Sequence, residues 1–149
     1  MAPKYFMMIG IAGSGKSTAA AEIAAETGAV IVSSDAIRGE LYGDEAIQGD
    51  AKYVFQLMED RTMAALRTGT SVIYDATNVI AWRRQEFLAK LPLGVEKVCV
   101  WVDVPTERAL QNNQRRVRHV PEWVIRQQAD QLEPPTEAEG WDDIRVVTC

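Results

Sequence analysis

Eight residues near the N-terminus, Gly10-Ile11-Ala12-Gly13-Ser14-Gly15-Lys16-Ser17, fit the phosphate-binding spacing G-x-x-x-x-G-K-[ST] at every constrained position. A polyphosphate needs many donors converging on a small volume. Glycines that tolerate positive φ let a loop turn its N–H groups inward with no side chain in the way, and Gly10, Gly13 and Gly15 supply that freedom. Lys16 is placed to reach the β- and γ-phosphates and Ser17 to hold Mg²⁺, while the N-terminus of the following helix adds a favourable dipole. The candidate nucleotide set is Gly10, Ala12, Gly13, Ser14, Gly15, Lys16, Ser17 and Thr18.

Asp35 and Arg38 form a second pair. A carboxylate at a strand end, followed three residues later by a cation, puts both over one opening, where the first can take a proton from a hydroxyl and the second can hold an anion. Asp35 also suits an N-cap and Arg38 a surface ion pair. Asp75 closes the run Ser71-Val72-Ile73-Tyr74-Asp75 and is a candidate Mg²⁺ ligand with Ser17, because a hard cation that keeps its waters favours carboxylate oxygen. Thr77 and Asn78 follow, suited equally to contacting an acceptor and to forming a turn. Arg83 and Arg84 read as solvated helix charge. Arg115, Arg116 and Arg118, ahead of His119, can stabilise charge on a transferred phosphoryl group from a segment of about 114–121. The lone histidine suits a structural or solvated position. Among the tryptophans, Trp101 reads as core and Trp123 is open to base stacking.

Those positions need elements to hold them. Tyr5–Ile9 is a short apolar strand, and residues 17–26 are strong helix formers closed by Gly28. Ala29–Ser33 is a β-branched second strand, expected to pair in parallel with the first through a right-handed crossover. A short helix over 36–41 and a longer one over 50–67 follow, with Tyr53, Val54, Leu57, Met58, Met63 and Leu66 on its apolar face. Ser71–Asp75 is the third strand, 82–90 a helix and Val98–Val104 a central strand covered on both faces. Thr106 is expected to cap a helix to about residue 116; another runs over 121–132, and 143–147 is an edge strand. Alternating strands and helices mean an α/β domain with a parallel sheet, whose ligands gather at the strands' C-terminal ends.

The 149 residues suit one domain, 1–149, with 47% hydrophobic and 25% charged residues and no apolar run fit to span a bilayer. The N-terminus enters a strand at once, which is read as no leader and a cytoplasmic location. Two cysteines, Cys99 in a strand and Cys149 at the end, make neither a disulfide framework nor a metal spacing. A net charge of −5 is the wrong sign for general nucleic-acid binding, but arginines cluster between 108 and 126 and carboxylates between 130 and 143.

Taken together, Gly10–Ser17, Ser34-Asp35-Ala36-Ile37-Arg38, Tyr74-Asp75-Ala76-Thr77-Asn78 and Arg116-Val117-Arg118-His119-Val120-Pro121 resemble the P-loop kinases of the polynucleotide 5′-hydroxyl kinase type. The resemblance runs along almost the whole chain. It implies a three-layer fold with a five-stranded parallel sheet in the order 2-3-1-4-5 and an arginine-bearing lid. Asp35 would be the general base on the 5′-hydroxyl, Arg38 would bind an acceptor phosphate, and Arg116 or Arg118 would contact the ATP donor. Relatives often carry Arg-Asn where this chain has Asn112-Asn113. Repair kinases of this kind often carry a phosphatase or ligase module; the 149 residues are read as a kinase domain without either.

The leading expectation is therefore ATP- and Mg²⁺-dependent phosphorylation of a 5′-hydroxyl end of DNA or RNA. The alternatives are a kinase of a small metabolite, nucleoside or antibiotic, which the acidic charge favours, and a nucleotide-dependent switch acting through a protein partner.

Overall fold

In the computed structural model, residues 2–43, 50–116 and 120–148 are described. Five strands build the sheet: β1 (Lys4–Ile9), β2 (Val30–Ser33), β3 (Val72–Asp75), β4 (Glu96–Asp103) and β5 (Asp143–Thr148). Their order is β2-β3-β1-β4-β5, and every pairing is parallel. The helices are α1 (Lys16–Thr27), α2 (Ser34–Tyr42), α3 (Ala51–Arg67), α4 (Ala81–Lys90), α5 (Thr106–Gln114) and α6 (Glu122–Gln131). The expected sheet order holds. The expected pairing of the first two strands does not, because β3 inserts between β1 and β2 and pairs with both.

Alternation along β1 sorts the core into two halves. Tyr5, Met7 and Ile9 face a cluster with Val54, Met58 and Leu66 of α3 and Leu88 of α4, whereas Phe6 and Met8 face Ala20 and Ile23 of α1, Ala109 and Leu110 of α5 and Ile125 of α6. Helices thus cover both faces of the sheet, giving three layers. The central strands read as continuous apolar runs for this reason: all of Tyr5 to Ile9 and Val72 to Asp75 are buried.

Local signals set most boundaries. Gly28 ends α1 at φ 76°, its N–H donating to the Ala24 carbonyl, as a left-handed C-cap should. Asp50 caps α3 through its side chain. Two expected caps move by a residue or two. Ser33, not Asp35, caps α2, its Oγ accepting from the Ala36 N–H at 3.2 Å, and Pro105 rather than Thr106 precedes α5.

Arg84 overturns its sequence reading as solvated charge. It is 1% exposed and fully engaged: Nε and Nη2 bind the two Glu139 oxygens at 2.8 and 2.9 Å, Nη1 binds the Asn78 carbonyl at 2.8 Å, and Nη2 also binds the Glu133 carbonyl at 2.9 Å. Glu139 ends a single 3₁₀ turn (Glu137–Glu139) and accepts in addition from Trp141 Nε1 and the Thr136 N–H. One carboxylate of the acidic C-terminal stretch is therefore a buried counter-ion. Arg83, its neighbour, is exposed beside Trp82 as expected.

Candidate functional site: the phosphate loop and its acceptor edge

The strands' C-terminal ends open on a cavity of about 1090 Å³ that runs from Gly13, Lys16 and Ser17 past Asp75 to Asp35 and Arg38. Its donor end is built by the turn between β1 and α1. Gly13 and Gly15 take φ values of 83° and 101°, as the phosphate-loop spacing requires. Gly10 differs from the sequence reading, since its φ is not positive; what it supplies is space. A Cβ there would stand 2.8 Å from Ser14 Oγ and 3.0 Å from the Val102 carbonyl. Lys16 Nζ donates to the Ile11 carbonyl at 3.1 Å across the loop, while Ser17 and Thr18 are exposed at the start of α1. Burial lowers the Lys16 ammonium below lysine's ordinary value, Asp75 and Asp35 oppose that shift, and Arg116 adds to it.

Asp75 ends β3 next to this loop. Its Oδ2 accepts from Ser17 Oγ at 3.3 Å, so the two candidate metal ligands are brought together. Burial raises the Asp75 carboxyl above the usual carboxylate range, Lys16 lowers it, Asp35 raises it again and the Ser17 hydrogen bond lowers it.

The acceptor edge is built by α2. Asp35 lies in the helix's first turn, half of its side chain open to the cavity, and its Oδ1 accepts from Arg38 Nη1 at 3.3 Å. Arg38 is nine-tenths buried beneath it, its Cζ 6.0 Å from the Phe55 ring centre on α3, its Nε buried without a hydrogen-bond partner among the described residues, and the rest of its guanidinium lines the cavity. The wall beyond is mixed in charge: Lys52, Glu59, Arg83, Glu86 and Lys90 line it, and Lys90 is paired with Glu59 at 3.0 Å.

Thr77 and Asn78 both line the cavity, and both also tie it together. The Thr77 carbonyl accepts from the Gly10 N–H at 3.0 Å. Asn78 sits at φ 50°, and its Nδ2 donates to the Met8 and Ala76 carbonyls at 2.7 and 3.2 Å, so its donors serve the scaffold. On the far side, Arg116 lies exposed just past α5 and lines the same cavity. Arg118 and His119 fall outside the described residues.

Two residues escaped the sequence reading. Asn112 on α5 donates to the Gly13 carbonyl at 2.9 Å, and Gln128 on α6 accepts from the Ala12 N–H at 2.8 Å. Both partners lie about a hundred residues away, and no spacing signal marks a carboxamide on an amphipathic helix as a partner of a distant loop. Trp82 and Phe55 line the acceptor end; Trp123 is exposed and does not.

A glycine loop between β1 and α1, a Lys-Ser pair, an acidic residue at the end of a neighbouring strand and the order 2-3-1-4-5 together define a nucleotide-binding P-loop protein of the kinase-type α/β fold. The family described as AAA domain matches residues 6–135, and the chain belongs to that family. No curated protein is significantly similar in sequence. Among solved structures, a sugar kinase from Janibacter sp. HTCC2649 is 22% identical with a TM-score of 0.73, over 98% of this chain and 85% of that one. The Pnkp1/Rnl/Hen1 RNA repair complex is similar at 24% identity and a TM-score of 0.77, over 87% of this chain and 44% of the other. A gluconokinase from Sinorhizobium meliloti 1021 is 20% identical with a TM-score of 0.67, over 99% and 83% of the two chains. The fold is thus one that kinases of different acceptors share. No described helix is long and apolar enough to cross a membrane.

Proposed function

We propose that this protein is an ATP-dependent kinase that transfers the γ-phosphoryl group to a hydroxyl of a small, anionic acceptor. One observation carries the reading: the phosphate loop and the Asp35–Arg38 pair open into the same cavity, which continues beyond them into a space the donor triphosphate does not need. In the reaction the acceptor oxygen attacks the γ-phosphorus, its proton passes to the Asp35 carboxylate, and the bond to the β-phosphate oxygen breaks so that ADP leaves with the electron pair. Lys16 and Arg116 stabilise charge on the phosphoryl oxygens, and Arg38 holds the acceptor's anion with the part of its guanidinium that lines the cavity.

Mg²⁺ fits the donor set. Ser17 Oγ and Asp75 Oδ2 are hard oxygens already in contact. That suits an ion held by one or two protein oxygens and otherwise by phosphates and water. When bound, it neutralises triphosphate charge.

Acceptor size follows from charge. The acceptor end is mixed in charge, Glu59 and Glu86 standing among Lys52, Arg83 and Lys90 in a protein of net charge −5, so it offers no continuous basic track for a polyanion, whereas a single anionic group needs only Arg38. A second reading, phosphorylation of the 5′-hydroxyl end of DNA or RNA, is favoured by the resemblance carried by Asp35, Arg38 and Thr77-Asn78 and by the ring of Trp82, which is 59% exposed at the mouth.

The test is transfer of label from [γ-³²P]ATP with Mg²⁺ to a panel of sugars, sugar acids, nucleosides, nucleoside monophosphates and 5′-hydroxyl oligonucleotides. Labelling of a small anionic acceptor supports the main reading, and labelling of oligonucleotides alone replaces it with the second. ADP release without transfer to any acceptor would point instead to a nucleotide switch. Asp35→Asn is expected to lower transfer by about 10²- to 10⁴-fold while leaving ATP affinity within about twofold. Loss of ATP affinity in that variant would move Asp35 to the donor site.

A further inference from the structure

The phosphate loop is gripped from behind. Gly13 packs so closely on α5 that a Cβ would collide with the Ala109 carbonyl, and the two peptide groups flanking that contact are both bound by side-chain amides. Asn112 Nδ2 on α5 holds the Gly13 carbonyl, and Gln128 Oε1 on α6 holds the Ala12 N–H. A third amide ties α5 to the residue two before α6: Asn113 Nδ2 donates to the Val120 carbonyl at 2.7 Å, and its Oδ1 accepts from the Val120 N–H at 3.0 Å. Asn113 is buried, and this reciprocal pair gives both backbone polar groups of Val120 a partner. Arg116 sits between the gripped positions, three residues past Asn113, and lines the cavity with Val124, Gln127 and Gln128 of α6.

We infer that Gln128 and Asn112 are positioning residues that fix Arg116 relative to the phosphate loop, so that Arg116 meets the γ-phosphate of the bound nucleotide. The chemistry of the amides suits this task. Each anchors a polar backbone group of the loop without adding charge, which leaves the positive potential of the loop to the triphosphate; a carboxylate in place of Gln128 would also accept from Ala12 but would repel the ligand. Because the two helices hold peptides on either side of the Ala12–Gly13 bond, loss of either anchor lets the Arg116 end of α5 shift against the loop. The inference rests on the Proposed function only in that Arg116 faces the donor; it does not depend on any acceptor.

The experiment is a double-mutant cycle on equilibrium binding of AMP-PNP and ADP, measured by calorimetry with Mg²⁺. Arg116→Ala is expected to weaken AMP-PNP by about tenfold, the loss of one charge-assisted contact, and to change ADP by less than about twofold. Gln128→Leu is expected to give the same pattern, and the double variant is expected to be no weaker than about tenfold, because Arg116 contributes nothing once misplaced. Asn112→Ala in the same cycle should behave alike and serves if Gln128→Leu does not fold. Multiplication of the two effects to about a hundredfold, or equal losses for AMP-PNP and ADP, would overturn the inference. A wild-type protein that binds nucleotide but transfers phosphate to no acceptor would overturn the kinase reading and leave this cycle readable.

Discussion

Arg38 donates to Asp35 through Nη1 and lines the cavity where the proposed anionic acceptor would sit. Guanidinium geometry matters there, since a lysine ammonium is a point charge that cannot satisfy a carboxylate or phosphate from two nitrogens. Arg38→Lys is expected to raise KM for an anionic acceptor by about tenfold and to leave KM for ATP unchanged within about twofold. Steady-state kinetics with a charged acceptor and its uncharged analogue checks the point. An equal rise for both would mean that Arg38 shapes the cavity and does not bind the anion. At the same scale, Asn78 shows how one residue answers two sequence readings: it lines the cavity, yet both hydrogens of its amide are spent on carbonyls of the scaffold.

At the scale of elements, the phosphate loop depends on α5 as much as on its own glycines. Gly13 (φ 83°) and Gly69 (φ 82°) take nearly the same positive φ, but a Cβ at Gly69 meets open space and one at Gly13 meets the Ala109 carbonyl. Alanine at either position carries left-handed strain of about 1–2 kcal/mol. Gly13→Ala must in addition push α5 from the loop, an overpacking cost of about 1–3 kcal/mol, so urea unfolding should find it the less stable variant by at least about 1 kcal/mol. Equal stabilities would mean that α5 gives way freely. The two strands on one side of β1 place the other site residues: β3 delivers Asp75 beside Ser17, and its pairing with β2 brings the start of α2 to the same edge.

For the whole molecule, the Arg84–Glu139 pair joins α4, the loop after β3 and the segment leading to β5. Burial pushes the Glu139 carboxyl up, but hydrogen bonds from Arg84, the Thr136 N–H and Trp141, with the charge of Arg84, outweigh it and hold the group below glutamate's ordinary value. A folded-state pKa below the unfolded one contributes stability that is present above the unfolded value and is lost as pH falls through the folded one. Glu139→Gln should therefore cost about 3 kcal/mol at pH 7, where it strands a buried guanidinium. The gap to the wild type should begin to narrow as pH falls below glutamate's ordinary value of about 4.3 and go on narrowing until the lowered folded-state value is passed and the wild-type carboxyl is itself protonated. Denaturant melts at pH 7 and pH 3.5 decide this, and a gap independent of pH would mean that the carboxylate's charge plays no part.

The phosphate loop, Asp35, Arg38 and Asp75 are legible in the chain because each is a local pattern: glycines at fixed spacing, a carboxylate at the end of a β-branched or apolar run, a cation one helical turn on. Strand and helix positions follow from the same short-range periodicities, and sheet order came from resemblance to a known fold. Tertiary structure alone decided what lies across the sheet. It inserted β3 between β1 and β2, sank Arg84 onto a carboxylate fifty-five residues away, and set Asn112 and Gln128 against the loop. Those contacts depend on which groups are buried together and must satisfy one another's hydrogen bonds, and burial between distant segments leaves no spacing in the sequence to read.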